Sequence, residues 1–287
     1  MSRFTSFVAI DWSGAKGVRQ RGIAIASCRA GRAAPELVRP GHVWSRQEVV
    51  DWLLTELPPK SLVGMDLSPS LPFADRGAFF PAWEQSPPDA FALWDLVEQV
   101  CTGDLHLAAT SFVDHPDASR HFRRHGGRTG DLFGSGAGRF RVVEDRQRDH
   151  GLAPYSCLNL VGAAQVGKSS LTGMRVLRRL HGRIPIWPFD AIPDHGSMLV
   201  EIYTSLAARR AGVPRGRSKV TDPTALDEAL DKLDSEHHSP LTRYSDHATD
   251  AILTSAWLRF VSGDTRLWRP TGLDDVAHTE GWTFGVV

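Results

Sequence analysis

Two short, mostly apolar runs that each close on an aspartate constrain this chain most. They are "FVAID", Phe7 to Asp11, and "SLVGMD", Ser61 to Asp66. Runs of this length and character are buried strands, and a terminal acid emerges where the strand leaves the sheet. Between them, "GIAIASC", Gly22 to Cys28, is a second strand after a Gly-rich turn. "ELVRPGHVW" is a third, which Pro40 confines to an edge. Ser45 with Glu48 forms an S-x-x-E capping box, and Val49, Val50, Leu53 and Leu54 follow at helical spacing. Three strands, a helix and a strand open an α/β domain.

Over residues 67–155 the pattern blurs. Pro69, Pro72, Pro81, Pro87 and Pro88 interrupt it, and "PDAFALWDLVEQV" is its one clear helix. The Gly- and Arg-rich "HFRRHGGRTGDLFGSGAGRFR" reads as a surface loop or insertion. Order returns with "SSLTGMRVLRRL", a helix with Leu171, Met174, Leu177 and Leu180 on one stripe. "IPIWPFD" is a short extended piece, and "MLVEIY", Met198 to Tyr203, is a strand with Glu201 inside it. "DPTALDEALDKL" is a polar amphipathic helix, and "YSDHATDAILTSAWLRF" a helix with Leu253, Trp257 and Phe260 on its buried stripe. There are no repeats, so the expectation is one α/β domain over 1–287 with an insertion at about 67–155.

The formal net charge of the 287 residues is zero. That removes the overall basic charge of many nucleic-acid binders but leaves room for local patches. Cys28, Cys101 and Cys157 are far apart and form no C-x-x-C pair, which argues against a disulfide framework or a thiolate zinc site. His121 and His125 stand at i, i+4, but no further ligand completes a zinc set nearby. No apolar run approaches ~18 residues and no signal peptide is legible, so the expected setting is the cytoplasm, without a membrane.

Acids stand where the core should be. Asp11 and Asp66 close strands, and Glu201 lies among Leu199, Val200 and Ile202. Asp246 and Asp250 precede Leu253, Trp257 and Phe260 at steps of four, three, four and three, and His247 is one turn before Asp250. Ionised carboxylates rarely occupy such places unless paired or bound to a metal. Any one of them could simply cap a turn. As a set they would repel one another, and a hard divalent cation, Mg²⁺ or Mn²⁺, removes that repulsion.

Four motifs carry a resemblance: "FVAIDWSGAKG", "VGMDLSPSLPF", "LVEIYTSLAARR" and "HATDAILTSAWL". Together they resemble a family of predicted nucleases with a ribonuclease H-like fold. "HATDA" is also similar to the last-helix motif of Holliday-junction resolvases. The resemblance implies a mixed sheet, its first three strands antiparallel and the rest parallel, flanked by helices. It implies that Asp11, Asp66, Glu201 and Asp250 are metal ligands and catalytic acids. His247 would be a ligand or general base, and Asp246 is secondary. It implies phosphodiester hydrolysis in nucleic acid. Actin-like kinases of the same superfamily open with a similar acid and small residues, which leaves an ATP-dependent kinase as an alternative. A catalytically inactive nucleic-acid-binding module is another.

"GAAQVGKS", Gly162 to Ser169, matches the P-loop spacing of a nucleotide-binding protein. The helix after it is present, but the strand before it is unconvincing, so a turn entering an ordinary helix is expected. Arg120, Arg124, Arg139 and Arg141, with Lys168 at the helix start, are candidate phosphate-binding cations. Phe122, Phe133 and Phe140 among them either stack on bases or anchor the loop.

Overall fold

The computed structural model describes residues 3–161, 166–214 and 220–287. Among these, the strands are β1 (Ser6–Asp11), β2 (Ala24–Arg29), β3 (Glu36–Leu37), β4 (Ser61–Met65), β5 (Arg123–Arg124), β6 (Arg128–Thr129), β7 (Ile186–Trp187) and β8 (Met198–Glu201). The helices are α1 (Arg46–Thr55), α2 (Ala90–Val100), α3 (Thr110–Val113), α4 (Val142–Asp149), α5 (Val166–Leu180), α6 (Thr204–Arg210), α7 (Pro223–Asp231), α8 (Asp246–Val261) and α9 (Leu273–Val276).

Six strands form one mixed sheet in the order β3-β2-β1-β4-β8-β7. β1 runs antiparallel to β2, and β2 to β3, while β1, β4, β8 and β7 are mutually parallel. The architecture is therefore α/β with a sheet that is first antiparallel, then parallel. Side chains alternate along β1. Val8 and Ile10 join the core shared with α1, α2 and α5, and Phe7 and Ala9 join the one shared with α6, α7 and α8. Gly64 in β4 permits the closest approach on the second face. A Cβ there would stand 2.6 Å from Ile202 Cγ2 and 2.9 Å from Leu258 Cδ1. The capping box of α1 is present as read, with the Ser45 hydroxyl accepting from the Glu48 amide and the Glu48 carboxylate accepting from the Ser45 amide.

Three sequence expectations change. Glu201 is the last residue of β8 rather than an interior one, because Tyr203 already leads into α6. Phe260 is 39% exposed and lies under the Arg210 guanidinium at 4.6 Å. α8 instead buries a broad face that includes Ile252, Ala256 and Leu258. The Gly- and Arg-rich surface segment carries a short strand pair, β5 and β6, that the sequence did not announce. Phe122 and Phe133 are fully buried in the first core, which decides their role as anchors, and Phe140 lies half-buried beneath Arg148 at 4.7 Å. No helix among the described residues is long and apolar enough to cross a membrane.

His121 is buried at 1% exposure with its ring 5.4 Å from Phe80, and Nδ1 has no hydrogen-bond partner. Burial, then the charges of Arg139 and Arg120, lower its pKa to about 4. The unfolded chain therefore binds this proton more readily, so stability is lost as pH falls from the ordinary histidine range through about 4. The loss approaches ~3 kcal/mol for a shift of this size. His121→Phe is expected to flatten the acid limb of thermal-melt stability between about pH 6.5 and 4; an unaltered limb would exclude His121 as its source.

Candidate active site

Three adjacent parallel strands end on, or one residue before, an acid. Asp11 ends β1 and Glu201 ends β8 beside Met65 of β4. The Asp66 amide extends the ladder by donating to the Ile10 carbonyl at 2.9 Å, so Asp66 leaves the sheet next to the end of β1. α8 packs across β1 and β2, and its first turns carry Asp246, His247 and Asp250. Ser245 caps this helix by accepting from the Ala248 amide.

His247 and Asp11 meet directly, with Nδ1 2.8 Å from Oδ2. The Asp11 carboxylate thus holds a proton on Nδ1 and makes Nε2 the basic atom of the neutral ring. Asp11 is buried, whereas His247, Asp66 and Asp250 are half-buried. Asp66 reports the company it keeps. Burial, then the like charges of Asp11, Asp250 and Glu201, raise its pKa well above the ordinary carboxylate value, and the Thr204 hydroxyl opposes this. The four predicted acids therefore share one electrostatic neighbourhood.

Glu201 differs from the other three. Its Oε1 accepts from Arg141 Nη2 at 2.5 Å and from Thr283 Oγ1 at 2.9 Å, and its Oε2 accepts from Arg141 Nη1 at 2.9 Å. These bonds fill three of the roughly four acceptor sites of a carboxylate and pair its charge with a guanidinium that Glu144 shares. That changes the expectation that Glu201 offers oxygens to a metal. Among the described residues, no group of three or more His, Cys, Asp and Glu side chains is arranged to hold a metal ion. The donor chemistry of Asp11, Asp66 and Asp250 nonetheless fits a hard cation. All are oxygen donors, and the repulsion that raises the Asp66 pKa is what a divalent charge removes.

The start of α5 docks against the segment that follows Asp11. Gly14 N donates to Ser169 Oγ at 3.2 Å, and Trp12 Nε1 donates to Thr172 Oγ1 at 3.2 Å. A Cβ on Gly14 would stand 2.4 Å from the Lys168 carbonyl carbon and the Ser169 amide. Gly14→Ala is thus expected to displace α5 from the site at a cost of about 1–3 kcal/mol. Chemical denaturation measures it, and an unchanged midpoint would show that the helix yields freely. Gly167 has a similar reason, since a Cβ there would lie 2.2 Å from the Cys157 carbonyl oxygen. Residues 152–161 form no strand, as a P-loop would require, and Gly162 lies outside the described residues. The glycine and serine of the motif act here in packing and hydrogen bonding.

The candidate cations divide. Arg141 is buried between Glu201 and Glu144. Arg139 is 9% exposed, pairs with Asp75 and donates to the carbonyls of Pro72, Ala78 and Phe79. Arg120 pairs with Asp131 on the surface. Arg175, Arg178 and Arg179 pair with Glu98 and Asp95 of α2. Arg215, Arg217 and Lys219 lie outside the described residues. Only Lys168 and Arg124 of the five candidates line a shared pocket, whose wall includes Gly14. Lys16, Arg46 and Arg128 line it too, and of these sequence reasoning missed Lys16 and Arg46. The one signal for Lys16 was its place in "DWSGAKG". No family model, curated protein or solved structure matches this chain.

Proposed function

We propose that this chain is a metal-dependent phosphodiesterase acting on nucleic acid, on a ribonuclease H-like sheet. The strand order supports the fold reading, with three antiparallel strands leading into parallel ones. One observation carries the chemical reading. Burial, then Asp11 and Asp250 from two other segments, raise the pKa of Asp66 where β4 ends, and His247 stands on Asp11.

Asp11, Asp66 and Asp250 would hold Mg²⁺ or Mn²⁺. Such an ion, when bound, offsets charge on the phosphodiester oxygens and acidifies water. Asp11 orients the His247 ring, and Nε2 takes a proton from the attacking water. Glu201, locked by Arg141, fixes the end of β8 beside Asp66. Asp246 stands at the entrance of α8 without a role in the chemistry.

The test is cleavage of labelled single-stranded, duplex and branched DNA and RNA with Mn²⁺ or with a chelator. Cleavage is expected with the cation only, and to vanish in Asp11→Asn. Turnover that survives the chelator or the substitution sinks the reading. Binding without cleavage in any cation identifies an inactive nucleic-acid-binding module instead.

A further inference from the structure

Against Gly14, Ala15 and Lys16, which follow Asp11 in the chain, lies a cavity of about 150 Å³. That is well below the ~300 Å³ of pockets that take whole small molecules. Its walls carry five cationic side chains, Lys16, Arg46, Arg124, Arg128 and Lys168, and a single carboxylate, Asp114. Asp114 is already committed, with Arg124 Nη1 at 2.9 Å and Arg128 Nη1 at 3.6 Å. No acid among the described residues pairs with Lys16, Lys168 or Arg46.

Arg46 is 2% exposed and donates to three backbone carbonyls: Nε to Ser13 at 3.2 Å, Nη1 to His106 at 3.0 Å and Nη2 to Ala15 at 2.5 Å. It thereby holds the loop that forms the wall and puts an uncompensated charge behind it. Arg124 adds a buried Nε–H that no protein acceptor satisfies. Burial and then the charge of Lys16 lower the Lys168 pKa. The two ammonium groups thus disfavour each other, and a bound anion would relieve both.

We infer that this cavity is a phosphate subsite, which seats one backbone phosphate of a single nucleic-acid strand while a neighbouring phosphodiester lies at Asp11 and Asp66. The inference rests on the nuclease reading for its ligand. Size, cation excess and missing counter-acids select a phosphoryl group. Proximity selects the strand. Gly14, on the cavity wall, is three residues from Asp11, a span of at most ~11 Å. A second, charge-steered contact so close to the acids fixes which phosphodiester reaches them.

Fluorescence anisotropy of a labelled single-stranded oligonucleotide tests this in chelator, where no cleavage occurs, across a salt series. The Lys16→Gln, Lys168→Gln double variant is expected to bind at least tenfold more weakly near 0.1 M salt. Its slope of log affinity against log salt should be shallower by about one to two. Lys168→Arg should restore most of the binding that Lys168→Gln loses. Circular dichroism melts confirm that each variant folds. Unchanged affinity and slope in the double variant overturn the subsite. Binding of inorganic phosphate or ATP with no oligonucleotide binding overturns the strand assignment in favour of a small phosphate. Because the readout is binding, a protein that binds through the lysines but never cleaves with Mn²⁺ fails the nuclease reading alone.

Discussion

Asp11→Asn is expected to lower cation-dependent cleavage by about 10²- to 10⁴-fold, the range that a positioned acid–base group supplies. Asparagine keeps the volume and an acceptor oxygen for the Nδ1–H of His247, which now lies 2.8 Å from Oδ2. It removes the charge that holds the cation and stabilises a protonated His247. The fold has little reason to suffer. Asp66→Asn should separate chemistry from stability more sharply. The folded pKa of Asp66 is raised above its unfolded value, by burial and then by Asp11, Asp250 and Glu201. The sign follows from linkage. The folded state holds this proton more tightly, so ionising Asp66 costs stability as pH rises above the unfolded carboxylate value. At neutral pH without divalent cation, Asp66→Asn should therefore melt higher, by on the order of 1 kcal/mol, while cleavage is lost. Melting and cleavage assays on the same preparations check both. A variant that is less stable and still active would remove Asp66 from the site.

Arg141→Ala is expected to have the largest effect on stability, a loss of about 3–5 kcal/mol. Arg141 is 1% exposed and serves as the counter-charge of a closed network. It reaches Glu201 by both Nη atoms and Glu144 by Nε at 3.0 Å, and it donates to the Glu280 carbonyl and the Ser68 hydroxyl. Burial opposes its charge, but Glu201 and then Glu144 more than offset this and hold its pKa above the ordinary value. Cys157 Sγ donates to Glu144 at 2.9 Å, and burial, then Glu144, raises that thiol's pKa. Removing Arg141 leaves two buried carboxylates without a counter-charge. For a domain whose net stability is ~5–15 kcal/mol, that is about a fifth or more of the total. Urea denaturation measures it. Replacing the whole charge set, Arg141→Met with Glu144→Gln and Glu201→Gln, should cost less than Arg141→Ala, because uncompensated charge causes the loss. Equal losses would show that packing, not charge, is what Arg141 supplies.

The network also explains what was legible beforehand and what was not. The acids at the ends of β1 and β4 could be read because strand period and length are local, and an acid that closes an apolar run stands out against them. α1 could be read to its first residue because a capping box is a contact between neighbours in the chain. The arginines could not be sorted. Arg141, Arg139 and Arg124 come from one basic stretch, yet one neutralises Glu201, one braces the carbonyls of residues 72–79, and one lines a pocket. Each fate depends on a partner at least ten residues away and, for Glu201, sixty. Phe260 shows the same limit on a helix. Its spacing from Trp257 placed it on the stripe, but α8 is buried over so broad a face that the boundary falls elsewhere.

By itself, then, the sequence determined the alternation of strands and helices, the capped start of α1, and the identity of the acids that interrupt apolar runs. Periodicity, capping and the cost of burying charge all act within a few residues, so no partner had to be known. Only the tertiary structure decided that Asp11 meets His247 across 236 positions and that Glu201 is spent on Arg141. It also decided that the glycine and serine of the P-loop-like segment serve close packing, while Lys168 lines a pocket with Lys16. Those outcomes rest on which charges the fold brings within a few ångströms of each other, and like or opposite charge at that range outweighs any local preference.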